Sequence, residues 1–131
     1  MKKLTAAVLI FLLLEACTVP VDRSEIENAK YPPSSTEEET ISWIKVILSE
    51  VLKDPESLKL QCKPTRKGWA RQYRDSQPKF GWLTRCLVNS KNSFGGYTGN
   101  QPYVFLRSSS GIEMLDESKF RSFEEHVGYT D

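Results

Sequence analysis

Histidine is almost absent from this 131-residue sequence, which contains only His126. A Ser–His–Asp or Cys–His arrangement would have to use that single imidazole, and no G-x-S-x-G or H-E-x-x-H pattern is present. C-x-x-C pairs and the glycine patterns that bind nucleotide phosphates are also missing. We therefore expect a protein that is not an enzyme and that holds neither a metal nor a cofactor. A carboxylate pair for glycoside hydrolysis is the catalytic arrangement that the sequence leaves open. His126 is expected on the surface or at the C-terminal end of a helix, where the helix dipole favours its charge.

Net charge is also small, at +1. It argues against a general nucleic-acid-binding protein, which needs a clear excess of basic residues. Long hydrophobic runs are scarce as well. Residues 4–14 form an apolar run of eleven residues broken only by Thr5, which is too short to cross a bilayer as a helix. Because Lys2 and Lys3 precede it, the run has the character of the apolar part of an export signal.

The residues at the end of this run are Leu14, Glu15, Ala16 and Cys17. The segment resembles the lipobox of bacterial lipoproteins, although Glu15 stands where that family more often has a small or aliphatic residue. The resemblance implies a signal peptide over residues 1–16 and a Cys17 that carries diacylglycerol and an acylated (palmitate-type) amino terminus, which together anchor a protein stably to a membrane. The resemblance to enterobacterial lipoproteins, in which an aspartate after the cysteine retains the protein in the inner membrane, implies from Thr18 an outer-membrane location, with the protein facing the periplasm. A secreted protein with an unpaired thiol is the alternative.

Residues 17–35 are expected to be the lipidated N-terminus and a flexible tether, because they are rich in proline and serine and lack apolar periodicity. Residues 36–131 are then expected to form a single small domain. The other two cysteines, Cys62 and Cys86, would meet an oxidising compartment after export, so a disulfide is expected between them. A redox or metal-binding pair is the alternative, and the lack of C-x-x-C spacing disfavours it.

A helix is predicted to begin at residue 36, where Thr36 and Glu39 form a T-x-x-E capping box, and to end before Pro55. Its core-facing stripe is expected to consist of Ile41, Ile44, Ile47, Leu48, Val51 and Leu52. Residues 54–57 are expected to form a turn.

Alternating apolar residues predict strands at residues 57–62, 80–89 and 103–108, and a hairpin return over residues 112–114. The spacing of Phe120, Phe123 and Val127 predicts a short C-terminal helix, with Gly128 as its C-cap. The fold class is therefore α+β: one amphipathic helix packed on a three- to four-stranded antiparallel sheet, followed by a short C-terminal helix.

Charge is segregated along the chain. Residues 59–91 contain nine basic residues and one acidic residue, Asp75. Interleaved aromatic residues make this stretch suitable for an anionic partner, such as phospholipid, lipopolysaccharide, an acidic glycan or an acidic protein surface. The alternative is a solvated face, or a stretch neutralised by acidic segments that fold back on it. The candidate binding residues are Arg66, Lys67, Trp69, Arg71, Tyr73 and Arg74.

A second candidate is the glycine-rich segment of residues 88–103, in which three glycines fall within five residues. Its candidate binding residues are Lys91, Asn92 and Tyr97, and a long connection between two strands is the alternative. Residues 52–57 (Leu-Lys-Asp-Pro-Glu-Ser), Cys86 and residues 91–103 together resemble a domain of small exported bacterial proteins of unassigned role. That resemblance covers about half of the chain and implies one compact domain but no activity.

These patterns predict a non-catalytic, lipid-anchored periplasmic protein that binds a partner in the bacterial cell envelope. Its expected partners are the membrane, through the lipid anchor, and either an envelope protein or an anionic envelope surface, but not nucleic acid. An inhibitor of an envelope-targeting hydrolase, similar to small disulfide-containing lysozyme inhibitors, is one alternative. A binder of anionic lipid or glycan surfaces is the other.

Overall fold

The computed structural model describes residues 19–131, so the predicted signal peptide and Cys17 lie outside the described residues. Its elements are α1 (Arg23–Glu27), α2 (Glu37–Val51), β1 (Asp54–Cys62), β2 (Arg66–Ala70), β3 (Lys79–Lys91), β4 (Gln101–Ser108), β5 (Gly111–Asp116), a 3₁₀ helix (Glu117–Lys119), α3 (Phe123–His126) and β6 (Val127–Tyr129). The predicted α+β class is confirmed. The described sheet, however, has six strands rather than three or four.

The long strand β3 organises the antiparallel sheet, whose order is β5-β4-β3-β2-β6. One edge of β3 pairs with β4. Its other edge pairs with β2 over residues 79–83 and with β1 over residues 86–91. Strands β2 and β6 were not predicted from the sequence. Neither strand has a recognisable local pattern. Strand β2 is short and basic and is interrupted by Gly68. Strand β6 has only three residues and is formed by its pairing with β2.

Helix α2 begins as predicted. The side chain of Thr36 accepts a hydrogen bond from the Glu39 amide at 3.2 Å, and the Glu39 carboxylate accepts one from the Thr36 amide at 2.9 Å. Ile44 and Leu48 are buried, but Val51, expected in the core, is 53% exposed. Leu52, also predicted in this stripe, packs against the core at that end of the helix.

Residues 54–57 were expected to be a turn but are the first part of β1. The strand register shifts between Asp54 and Lys59, and the Ser57 hydroxyl donates a hydrogen bond to the Asp54 carbonyl at 2.7 Å. This irregular stretch has a local turn-like contact inside a strand, which is why turn residues occur there.

The sheet carries a hydrophobic cluster on each face. The cluster under α2 contains the buried residues Ile44, Leu48, Cys86, Val88 and Phe105. The cluster on the opposite face contains Ala70, Leu83, Val104, Leu106, Leu115 and Val127. Cys62 and Cys86 are directly opposite each other on β1 and β3, with Cα atoms 4.1 Å apart, and the expected disulfide joins them.

The C-terminal segment covers the second cluster, but not as one helix. Phe120 lies in the connection before α3, Phe123 lies in α3, and both pack against the cluster. Val127 and Gly128, predicted to end that helix, belong to β6 instead. Gly128 does not cap a helix; it allows the Trp69 indole to pack closely against the backbone of β6. A Cβ atom at position 128 would lie 2.3 Å from the indole nitrogen of Trp69.

Residues 31–33, which precede α2, contact the sheet and the residue that follows β6. The indole of Trp82 donates a hydrogen bond to the Pro32 carbonyl at 2.8 Å, and Arg107 donates one to the Pro33 carbonyl at 2.5 Å. The Tyr31 hydroxyl lies 2.8 Å from that of Thr130, within hydrogen-bond distance. These contacts hold residues 31–33 against the domain that the sequence predicts to begin at residue 36.

No helix within residues 19–131 has the length and apolar character needed to span a membrane.

Candidate interaction surface

The basic stretch does not form one patch, because the fold distributes its residues over several locations. Arg66 lies at the start of β2 and donates hydrogen bonds to the Asp131 carboxylate at 2.7 and 2.9 Å. Its guanidinium also stacks 3.9 Å from the centroid of the Tyr129 ring. The hydrogen bond raises the pKa of Arg66 and lowers the pKa of Asp131. Arg66 therefore holds the C-terminus onto β2.

Two other candidates from this stretch are part of the protein interior. Trp69 is buried against Gly128. Arg71 is 5% exposed and donates a hydrogen bond to the Glu125 carbonyl at 2.7 Å. The same residue holds His126, whose ring nitrogen Nδ1 lies 3.2 Å from the Arg71 carbonyl oxygen. The expectation for His126 is correct in that it ends α3, but its side chain is buried rather than on the surface, stacked against Phe120.

Lys67, Tyr73 and Arg74 face the surface to different extents. Lys67 is exposed, with its ammonium 5.3 Å from the ring centroids of both Tyr31 and Trp82. Tyr73 and Arg74 lie in the connection between β2 and β3, where Tyr73 is 65% exposed and Arg74 is half-buried. Lys67 and Tyr73 are thus available for contact, but neither lies on the same surface as the second candidate group.

That second group lies on a part of the sheet that no other element within residues 19–131 covers. On the face of β3 opposite α2, Leu83 is buried in the hydrophobic cluster. Arg85 lies at the edge of that cluster and donates hydrogen bonds to the Glu117 carboxylate. These hydrogen bonds raise the pKa of Arg85. Beyond Arg85 this face is open, and Leu87 is 38% exposed. We call this surface the open face; its residues are Lys59, Gln61 and Lys63 of β1 and the adjoining segment, Leu87 and Lys91 of β3, Tyr97 and Pro102.

The strand register brings these residues together. Gln61 of β1 and Pro102 of β4 are the direct neighbours of Leu87. Together with Cys62, Lys63, Arg85 and Cys86, these three residues line an open depression of about 330 Å³. Its lining combines the apolar Leu87 and Pro102 with the basic Lys63 and Arg85; a mostly apolar lining with a few polar groups is common in ligand sites.

Tyr97 gathers two basic side chains at one end of the open face. It forms an isolated bridge with Lys91, and the Lys59 and Lys91 ammonium groups lie 4.2 and 5.6 Å from its ring centroid. Asp54 is opposite Lys91 in the register. Within the described part of the chain, however, no carboxylate forms an ion pair with Lys59, Lys63 or Lys91. These three charges are therefore available to an anionic partner.

A hydrogen-bonded hairpin projects from this end of the open face. The side-chain oxygen of Asn92 accepts hydrogen bonds from the amides of Phe94 and Gly96 at 2.9 and 3.2 Å, and the Asn92 amide donates to the Gly96 carbonyl at 2.8 Å. Gly95 has a φ of 81°, which the tight turn requires. Asn92 thus shapes the hairpin, and Phe94 at its tip is 97% exposed.

Sequence reasoning missed Lys59, Lys63, Leu87 and Phe94 as candidate site residues. A signal existed for Phe94, because a large apolar residue surrounded by asparagine, serine and glycine has no core to fill. The other three residues come from β1, the residue after it and β3, and only the pairing of β1 with β3 places them on one face of the sheet. Among the described residues, no group of histidine, cysteine and carboxylate side chains is arranged to hold a metal ion.

Comparison of the chain with protein-family models, with curated proteins and with solved structures gives no match.

Proposed function

We propose that this protein is a lipid-anchored, non-catalytic binding protein of the bacterial cell envelope, held to the outer membrane through Cys17 and facing the periplasm. We propose further that it binds an envelope partner through the open face and the Phe94 hairpin. The observation that carries this proposal is the exposed Phe94 on a hairpin held by Asn92, next to a surface with three lysines that form no ion pair within residues 19–131.

The chemistry of this surface favours a protein partner that is acidic and has an apolar pocket. The Phe94 side chain has no hydrogen-bonding group, so moving it out of water is favourable only when it enters an apolar environment. Exposed aromatic residues on preorganised segments are common anchors at protein interfaces. The lysines around Tyr97 would orient the partner by charge, which contributes more to association rate and selectivity than to affinity.

The anchor and the binding surface are tested separately in cells that express the full-length chain. Mass spectrometry of the peptide that contains Cys17 should detect diacylglycerol and an acylated amino terminus. A photoreactive phenylalanine analogue in place of Phe94 should give a recurrent protein adduct on irradiation. The same analogue in place of Val46, which is exposed on α2, should not give that adduct. Adducts of equal yield at both positions would contradict the proposed surface.

The second candidate function is inhibition of an envelope-targeting hydrolase. The projecting Phe94 hairpin favours it, because a hydrogen-bonded loop of this kind can enter the active-site cleft of an enzyme. The lysines beside the hairpin count against lysozymes as targets, since lysozymes are commonly basic and like charges repel. A cell-wall turbidity assay with purified protein decides between the two: slower clearing that depends on Phe94 supports inhibition.

A further inference from the structure

Residues 19–21, the first that the structure describes, lie against the connection between β2 and β3 at one end of the sheet. Val19, Pro20 and Val21 line a cavity of about 120 Å³ together with Arg71 and residues 75–78 of the connection between β2 and β3. Cys17 precedes Val19 by two residues, and two residues of extended chain reach about 7 Å. Lipid chains attached to Cys17 would therefore begin next to this connection.

The connection at residues 71–78, which we call the β2–β3 turn, has side chains suited to a lipid–water interface. Its tip is closed by the Ser76 hydroxyl, which donates a hydrogen bond to the Tyr73 carbonyl at 2.7 Å. Tyr73 is the most exposed tyrosine among the described residues, at 65%. Tyrosine is enriched at membrane interfaces because its ring is apolar and its hydroxyl is polar. Val19, also exposed, lines the cavity that Ser76 and Gln77 of the same turn border.

The opposite end of the sheet is the Phe94 hairpin. The β2–β3 turn precedes Lys79 and the hairpin follows Lys91, so the thirteen residues of β3 separate them. At about 3.3 Å per residue, this strand spans about 40 Å. The β2–β3 turn and the Phe94 hairpin therefore lie at opposite ends of the longest strand.

We infer that the β2–β3 turn rests on the phospholipid surface of the anchoring membrane, with Tyr73 at the headgroup level, and that the Phe94 hairpin points away from that membrane. This inference rests on the proposed acylation of Cys17. Charge contributes little to the contact, because the exposed Asp75 offsets the half-buried Arg74 beside it. The other arginine of the turn, Arg71, is buried and donates its hydrogen bond to the Glu125 carbonyl. The contact is made by the anchor and by Tyr73, so it suits a zwitterionic phospholipid as well as an anionic one.

The inference is tested with a photoreactive phenylalanine analogue placed at position 73, 94 or 46 of the full-length protein in intact cells. After irradiation, the adducts are separated into phospholipid and protein by mass spectrometry. Position 46, on the exposed side of α2, controls for a membrane contact made by any surface of the anchored protein. We expect phospholipid adducts at position 73 in several-fold higher yield than at positions 46 and 94.

Three results would overturn the inference. Phospholipid adducts at position 94 equal to those at position 73 would show that the hairpin also touches the membrane. An acylated Cys17 without phospholipid adducts at position 73 would disprove the orientation and leave the anchor intact. An unmodified Cys17 peptide would remove the anchor, and with it the orientation, whereas a protein adduct at position 94 would still support the proposed binding surface.

Discussion

Single residues decide how tightly the strands around β2 approach one another. A Cβ atom on Gly68 would lie 2.2 Å from the Gly128 carbonyl oxygen and 2.6 Å from Leu83 Cδ1. The first of these atoms belongs to the backbone of β6, so a side chain at position 68 cannot be accommodated by a change of rotamer. Gly68 therefore allows β6 to pair with β2 and cover the core beneath it.

We expect Gly68→Ala to destabilise the protein by about 3 kcal/mol, because the added methyl group overpacks a closed part of the fold. Gly96→Ala is the matched control. Its Cβ atom would have no neighbour closer than 3.9 Å, so its free energy of unfolding should stay close to that of the unaltered protein. Denaturant unfolding measures both variants, and equal stabilities would contradict the described approach of β2 and β6.

The hydrogen bonds between Arg66 and Asp131 make the stability of the C-terminal strand β6 depend on pH. The hydrogen bond from Arg66 lowers the pKa of Asp131 in the folded protein. A group of this kind contributes stability above its unfolded pKa, about 4 for aspartate, and that contribution is lost as pH falls through the folded pKa. Hydrogen exchange of the Thr130 amide, which donates to the Lys67 carbonyl, should show a smaller opening free energy at acidic pH.

Arg66→Gln is the control for this prediction. It removes the guanidinium whose hydrogen bond lowers the pKa of Asp131, so the opening free energy at the C-terminus should be smaller at neutral pH and should change less on acidification. If Arg66→Gln leaves the acid-induced loss of protection unchanged, then another group is responsible for it.

At the scale of elements, local sequence determines α2 almost completely. The capping residues lie next to the helix that they cap, and the apolar stripe repeats with the helical period, so both are visible in the sequence. The strands β2 and β6 could not be predicted in this way. Strand β6 is short and pairs with residues about 60 positions away in the sequence, which no local pattern contains. Strand β2 also pairs with the nearby β3, but its basic residues and Gly68 conceal the alternation of a strand.

The capping box of α2 predicts a measurable loss of stability. Thr36→Ala removes the acceptor for the Glu39 amide and should lower the free energy of unfolding by about 1 kcal/mol. Ser34→Ala is the matched control, because Ser34 is exposed and lies outside the helix. Thermal unfolding of the two variants is sufficient for the comparison, and equal midpoints would mean that the cap contributes nothing.

At the scale of the whole molecule, the disulfide joins the strand that follows α2 to the long strand of the sheet. Cys62 and Cys86 are 24 residues apart, and the chain-entropy argument gives a stabilisation of about 3–4 kcal/mol for such a loop. The double variant Cys62→Ser/Cys86→Ser should lose about that much of its free energy of unfolding. A loss similar to that of a surface substitution would show that β1 is held by packing without the covalent link.

The candidate site was only partly predictable from the sequence. Lys91 and Tyr97 were predicted because they lie in a conspicuous glycine-rich segment. The sequence analysis also selected Trp69 and Arg71, but it could not show that they are buried, because burial depends on the distant Gly128 and Glu125. The open face is a product of topology: β1 and β2 share one edge of β3, and the core that covers one half of that strand stops before Leu87.

The most direct test of the proposed binding surface is the yield of the position-94 protein adduct when the lysines of the open face are neutralised. Lys59→Gln/Lys63→Gln/Lys91→Gln is compared with Lys30→Gln/Lys45→Gln/Lys53→Gln, which changes the net charge equally at exposed lysines outside the open face. We predict that the first triple variant loses most of the adduct, that the second keeps it, and that added salt weakens capture by the unaltered protein. Equal adduct yields from the two triple variants would contradict a binding role for the open face.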